Sequence, residues 1–191
     1  MRGQDVLMSS GDTTGSPDWE TPQPFFDLLN DYFGPFTLDA AATAKTTKCD
    51  HYYSSLHNAL IQCWPGTVFC NPPYGAGLAD WINHGWKQSL KHNRRVVMLL
   101  PARTDIAVYH DIVLPRATCI LFVRGRIKFK LPGKKNSATF PSMVVVFDSE
   151  AKKITGLPYF GTVVQPKTRN GKVVECGRIR VTYRALHYAN V

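Results

Sequence analysis

The chain is 191 residues long, 44% hydrophobic, and carries 23 Lys and Arg against 14 Asp and Glu, a formal net charge of +9. That length supports one good core but not two full domains, and no apolar run approaches the ~20 residues that span a bilayer, so a single soluble, cytosolic domain is expected. Five cysteines, odd in number and without a C-x-x-C pair, argue against a disulfide framework or a zinc knuckle, and Cys49, His51 and Cys63 form only a weak ligand set, so no metal is expected.

Residues 1–16 are rich in Ser, Gly and Thr, lack periodicity and read as a disordered leader, and no basic n-region with an apolar stretch marks a secretory signal. Thr21 as N-cap and Pro22 in the first turn predict a helix that buries Phe25, Phe26, Leu28, Leu29 and Phe33 and stops at Gly34-Pro35. Phe36-Thr37-Leu38-Asp39 predicts the first strand. It ends in a carboxylate beside Ala40, Ala41 and Ala42, small residues that would let a ligand approach the backbone. Residues 43–66 are ambiguous, with a short strand expected at His51-Tyr52-Tyr53 and a turn near Asn58-Ala59-Leu60.

Thr67-Val68-Phe69-Cys70 is apolar and β-prone, and Leu78, Trp81, Ile82, Trp86 and Leu90 follow at helical spacing. Asn71-Pro72-Pro73-Tyr74-Gly75 therefore joins a strand to a helix. The continuous apolar run Val96-Val97-Met98-Leu99-Leu100 predicts a strand buried on both faces, and Pro101-Ala102-Arg103-Thr104-Asp105 leaves its carboxyl end to start another helix. Cys119 to Val123, Arg126 to Lys130 and Met143 to Phe147 predict further strands. The basic loop from Leu131 to Ser137 has no room for a crossover helix, so the last two are expected to pair as an antiparallel hairpin. Beyond Asp148 the chain is basic, with strands expected at Gly161 to Val164, Lys172 to Glu175 and Ile179 to Tyr183, and a hairpin turn at Asn170-Gly171. The expected organisation is thus a leader over 1–16, a catalytic domain over 17–148, and a basic, β-rich extension over 149–191 packed on the same domain.

Charge is unevenly spread. Residues 1–31 hold Arg2 against six acidic side chains and sum to −5, so residues 32–191 carry +14. A field of that sign attracts a polyanion, DNA or RNA, although basicity also aids solubility.

The Asn71-Pro72-Pro73-Tyr74 loop has a specific chemical use. An exocyclic amine such as N6 of adenine is a poor nucleophile because its lone pair is delocalised into the ring. Two fixed acceptors, the Asn71 side-chain carbonyl and the Pro72 backbone carbonyl, would draw that density back to nitrogen, and both prolines hold the loop extended. Such acceptors stabilise the positive charge that develops on nitrogen as it attacks a methyl group. Tyr74 offers a face on which a base can stack. By residue type alone, the same loop also reads as a plain turn leaving a strand.

These segments in this order resemble the phage-type, Dam-like DNA N6-adenine methyltransferases of bacteriophages and prophages. The resemblance covers about residues 18–148. It rests on Trp19-Glu20-Thr21-Pro22 with Phe25-Phe26, on Phe36 to Ala41, on Asn71 to Gly75, on Leu100 to Asp105, and on Gly125-Arg126-Ile127-Lys128-Phe129. It implies an α/β, Rossmann-like methyltransferase fold with a mostly parallel sheet ending in an antiparallel hairpin, and S-adenosylmethionine as cofactor. Thr21, Pro22, Phe25, Asp39, Ala40, Ala41 and Asn71 would contact that cofactor. Asn71, Pro72, Pro73 and Tyr74 would hold a flipped-out adenine of duplex DNA, with Arg103, Arg126, Lys128 and Phe129 contacting the DNA; Lys134, Lys135, Arg178 and Arg180 are expected to bind its phosphates on the strength of the +14 charge of residues 32–191.

The family's wider relatives often carry a glycine-containing cofactor loop where Ala40-Ala41-Ala42 stands here. Plainer readings stand beside these roles: Asp39 as a helix N-cap, Thr21-Pro22 as a helix start, Arg103 with Asp105 as an ion pair, and Phe129 as core. Three competing functions remain: an amino-methyltransferase acting on cytosine N4, RNA or a protein glutamine; a catalytically silent DNA-binding module; and a nicotinamide enzyme. The last is disfavoured because no G-x-G-x-x-G follows the first strand.

Overall fold

A computed structural model describes residues 20–91, 94–129, 140–151, 159–170 and 172–184. Helix α1 (Gln23–Phe33) is capped by the backbone of Pro22, and Pro24 fits its first turn, where an N–H is not needed. Thr21 makes no capping bond, contrary to expectation; its hydroxyl lies in the site described below. Strands β1 (Leu38–Asp39), β2 (His51–Tyr52), β3 (Val68–Cys70) and β4 (Arg95–Pro101) are mutually parallel. Helix α2 (Leu78–Ser89) connects β3 to β4, and after β4 a π-type turn (Tyr109–Val113) runs into the short helix α3 (Leu114–Arg116).

Strand β5 (Cys119–Arg124) follows, then β6 (Ser142–Asp148), β7 (Tyr159–Val164), β8 (Lys167–Arg169), β9 (Lys172–Glu175) and β10 (Arg178–Arg184). Eight strands form one sheet in the order β10-β7-β5-β6-β4-β3-β1-β2, and β8 and β9 form a separate pair. β6 is antiparallel to both β4 and β5, whereas β7 is parallel to β5.

The antiparallel pair is therefore β5 with β6; of the expected segment Arg126 to Lys130, the described residues Arg126 to Phe129 do not pair with β6, and Lys130 lies outside the described residues. The apolar run Cys119 to Phe122 already occupies the pairing edge of β6. Arg126 to Phe129 keeps the alternation without the ladder: Ile127 and Phe129 are buried and Arg126 and Lys128 exposed, but the backbone forms no strand. Alternating burial needs only side chains that point alternately, so period-two patterning cannot separate a strand from an extended packed segment.

Two apolar layers flank the sheet, as the unbroken hydrophobicity of β4 requires. Val96, Met98 and Leu100 pack with Leu78 and Ile82 of α2, Tyr109 and Val113. Val97 and Leu99 pack on the other face with Phe25, Phe26 and Leu29 of α1. Burying each such side chain contributes roughly 1.5–3 kcal/mol. Gly85 lets α2 approach closely, since a Cβ there would lie 2.8 Å from the Met98 sulfur. Among the described residues no helix is long and apolar enough to cross a membrane.

Candidate active site

Parallel pairing of β1 with β3, Asp39 opposite Phe69, puts the end of β1 beside the start of the Asn71 loop. The Ala40 N–H donates to the Phe69 carbonyl at 2.9 Å and carries this contact past the strand ends. Both groups lie at the carboxyl edge of neighbouring parallel strands, where side chains and free backbone groups converge.

Asp39 is almost fully buried and starts no helix. Its two oxygens accept the N–H groups of Ala41 at 3.4 Å and Lys48 at 3.1 Å. Burial pushes its carboxyl up from 3.8 to about 6, against the opposing pull of those two N–H groups and of the Lys48 charge. A cationic group beside it would offset this desolvation. Ala40 and Ala42 are buried and Ala41 is half-buried, which leaves no bulky side chain along the loop.

Lys48 joins this carboxylate to the segment before α1. Its side chain is only 5% exposed and its Nζ lies 2.8 Å from Glu20 Oε1. The adjacent Thr21, also buried, accepts a hydrogen bond from Asn71 Nδ2 at 3.3 Å. The Tyr74 hydroxyl approaches Asn71 Oδ1 at 2.7 Å and the Leu99 carbonyl at 3.1 Å. These contacts join Asp39, Lys48 and Glu20 in one group and Thr21, Asn71 and Tyr74 in another, and the two meet where Glu20 adjoins Thr21 in sequence. Burial holds the Tyr74 phenol well above its usual range, so it stays a donor.

Tyr74 is itself buried, its ring edge-on to Phe140 at 5.4 Å, and it borders a 260 Å³ cavity with Pro101, Arg103, Ile106 and Val108. That is near the lower limit of the roughly 300–1,000 Å³ usual for ligand pockets. Pro72 is buried and Pro73 half-buried. Arg103 is exposed at the cavity and forms no ion pair with Asp105.

The remaining expected residues divide clearly. Pro22 is half-buried beside Thr21, while Phe25 lies in the core, 2% exposed. Phe129 is likewise a core residue at 4% exposure, because the alternation that exposes Arg126 and Lys128 turns it inward. Arg178 and Arg180 are exposed on β10; Lys134 and Lys135 lie outside the described residues. Sequence reasoning missed Lys48, which lies in the ambiguous segment 43–66, and gave Glu20 no role of its own although it stands in the Trp19-Glu20-Thr21-Pro22 segment. It also missed Ile106 and Val108, whose apolar character after Asp105 was visible.

A family model described as DNA N-6-adenine-methyltransferase (Dam) matches residues 10–173. The DNA N-6-adenine-methyltransferase of Escherichia phage T1 is 33% identical over 105 residues, 51% of this chain and 43% of that protein. The DNA N-6-adenine-methyltransferase of Haemophilus phage HP1 is 29% identical over 138 residues, 70% of this chain and 79% of that protein. The chain therefore spans less than half the length of the phage T1 relative.

Proposed function

Because the chain belongs to the DNA N-6-adenine-methyltransferase (Dam) family, we propose that it transfers a methyl group from S-adenosylmethionine to N6 of an adenine in duplex DNA. The observation that carries this reading is the Asn71 amide, tied to Thr21 and Tyr74 at the end of β3 and set beside the buried Asp39 carboxylate at the end of β1. S-adenosylmethionine supplies an electrophilic methyl group on a cationic sulfur. Asp39, with the backbone of Ala40 and Ala41 and the hydroxyl of Thr21, would hold that cofactor, and the strand order β2-β1-β3-β4 with its flanking helices is read as a Rossmann-like methyltransferase sheet.

Asn71 Oδ1, which the Tyr74 hydroxyl orients, would be the first acceptor for the adenine amine. The Pro72 carbonyl is the second acceptor. Both are fixed before reaction, and they bind the amine more strongly as it gains positive charge. N6 is inside the stack of a duplex, so the base must be flipped out, at a cost of a few kcal/mol, to reach the Tyr74 cavity. Residues 17–148 would carry this chemistry. The basic stretch 149–191, with Arg103, Arg126 and Lys128, would hold the DNA backbone.

The test is to incubate the purified chain with labelled S-adenosylmethionine and DNA, RNA or protein, and to identify the product after hydrolysis. Label in N6-methyladenine from duplex DNA is the expected result. Label in N4-methylcytosine, in RNA or in glutamine would replace the acceptor named here, and no transfer to any of them would remove the enzymatic reading.

A further inference from the structure

Strand β7 ends at Val164, directly opposite Arg178 at the start of β10. β7 is parallel to β5, and β5 and β4 are both antiparallel to β6, so the carboxyl end of β7 lies on the same edge of the sheet as the ends of β3 and β4. From that edge the chain leaves and returns as the separate antiparallel ribbon of β8 and β9. In the order β7-β5-β6-β4-β3 its base is four strands from the Asn71 loop, about 19 Å at ~4.8 Å per strand. A duplex laid along this edge covers that distance in about six base pairs at ~3.4 Å each.

Packing does not explain the ribbon, because every residue of both strands is exposed, Val173 and Val174 included. Lys167 is paired with Glu175 across it, but Arg169 and Lys172 face each other as direct cross-strand partners at its end. Like charges in that position cost stability unless an anion neutralises them. A two-stranded ribbon also fits the ~12 Å width of the B-DNA major groove, where Arg and Lys reach guanine O6 and N7 and apolar side chains meet the thymine methyl.

Resting on the reading that duplex DNA is the substrate, we propose that the β8–β9 ribbon enters the major groove of the duplex whose adenine is held at Asn71, and that Arg169 and Lys172 select the base sequence methylated.

The experiment treats genomic DNA devoid of N6-methyladenine with the full chain, with Arg169→Ala/Lys172→Ala and with Arg169→Lys, and maps the methylated adenines by sequencing. Circular dichroism confirms that the variants fold. The wild type should mark one motif. The double variant should mark a motif relaxed in at least one position, with discrimination there falling about 5- to 150-fold. Arg169→Lys keeps the charge but loses the planar fork and should relax the same position. Retention of the wild-type motif by both variants overturns the proposal, even if DNA binding weakens uniformly, since the ribbon would then contact phosphate alone. A wild type that methylates no DNA adenine overturns the function proposed above instead, so the two failures are separable.

Discussion

The Tyr74 hydroxyl lies 2.7 Å from Asn71 Oδ1, so the aromatic of the loop positions its amide as well as walling the cavity. Tyr74→Phe keeps the ring and removes that bond, together with the one to the Leu99 carbonyl. A hydrogen bond of this kind contributes about 1 kcal/mol. Single-turnover methylation should slow about tenfold while cofactor affinity is retained, and an unchanged rate would show that the hydroxyl does not orient the amide.

Asn71→Ala removes one acceptor entirely. Methyl transfer should fall about 10²–10³-fold, as for other preorganised groups that act on the transition state. Cofactor binding should survive, because Asp39 and the Ala40-Ala41 backbone remain. A variant with more than half of wild-type single-turnover rate would remove Asn71 from the mechanism.

Asp39 should make both stability and cofactor binding depend on pH. Its carboxyl is raised from 3.8 to about 6 in the fold, so the folded state holds the proton more tightly than the unfolded chain. The resulting stabilisation is complete below about pH 4 and lost as pH rises through about 6, amounting to about 3 kcal/mol. Asp39→Asn should flatten that dependence in thermal melts from pH 4 to 7. Affinity for S-adenosylmethionine in the wild type should rise as pH passes upward through about 6. Calorimetric titration showing the same affinity at pH 5 and pH 7.5 would count against Asp39 as the partner of a cationic cofactor.

Lys48 is a buried charged residue near the site. Its buried ammonium is paired with Glu20, which is one-quarter exposed. Lys48→Met leaves that carboxylate without this partner and should cost about 2 kcal/mol, less than the 3–5 kcal/mol typical of fully buried pairs. Lys48→Met/Glu20→Gln should recover part of the loss in chemical denaturation. Equal destabilisation of the single and double variants would mean that the ion pair itself contributes little.

Arg178 and Arg180 are exposed on β10, Arg178 at the same sheet edge as the Asn71 loop. Neutralising both with Gln should weaken DNA binding about equally on all sequences. The slope of log K against log salt should flatten by roughly 0.9 for each phosphate that the variant no longer neutralises. An unchanged slope would place the phosphate track elsewhere.

Local patterning made most of the parallel half legible. The apolar run of β4, the helical spacing from Leu78 onward and the strand-proline junction at Asn71 each express a preference that burial reinforces. Patterning failed where side-chain direction and backbone pairing part company. Arg126 to Phe129 alternates like a strand yet forms none, and Phe25 and Phe129 carry the same aromatic character whether they face a ligand or the core.

The residues alone dictated an α/β architecture with an acceptor-bearing loop between a strand and a helix, because periodicity and proline geometry act over a few neighbouring residues. Only the tertiary structure decided that Lys48 reaches Glu20 across 28 positions, that Asn71 meets Thr21 across 50, and that β7 aligns with β5 so that the basic ribbon rises from the edge that carries the Asn71 loop. Those relationships depend on which strands become neighbours and in which direction they run. Pairing between distant segments is selected by the burial of whole faces, and no short window of sequence contains that term.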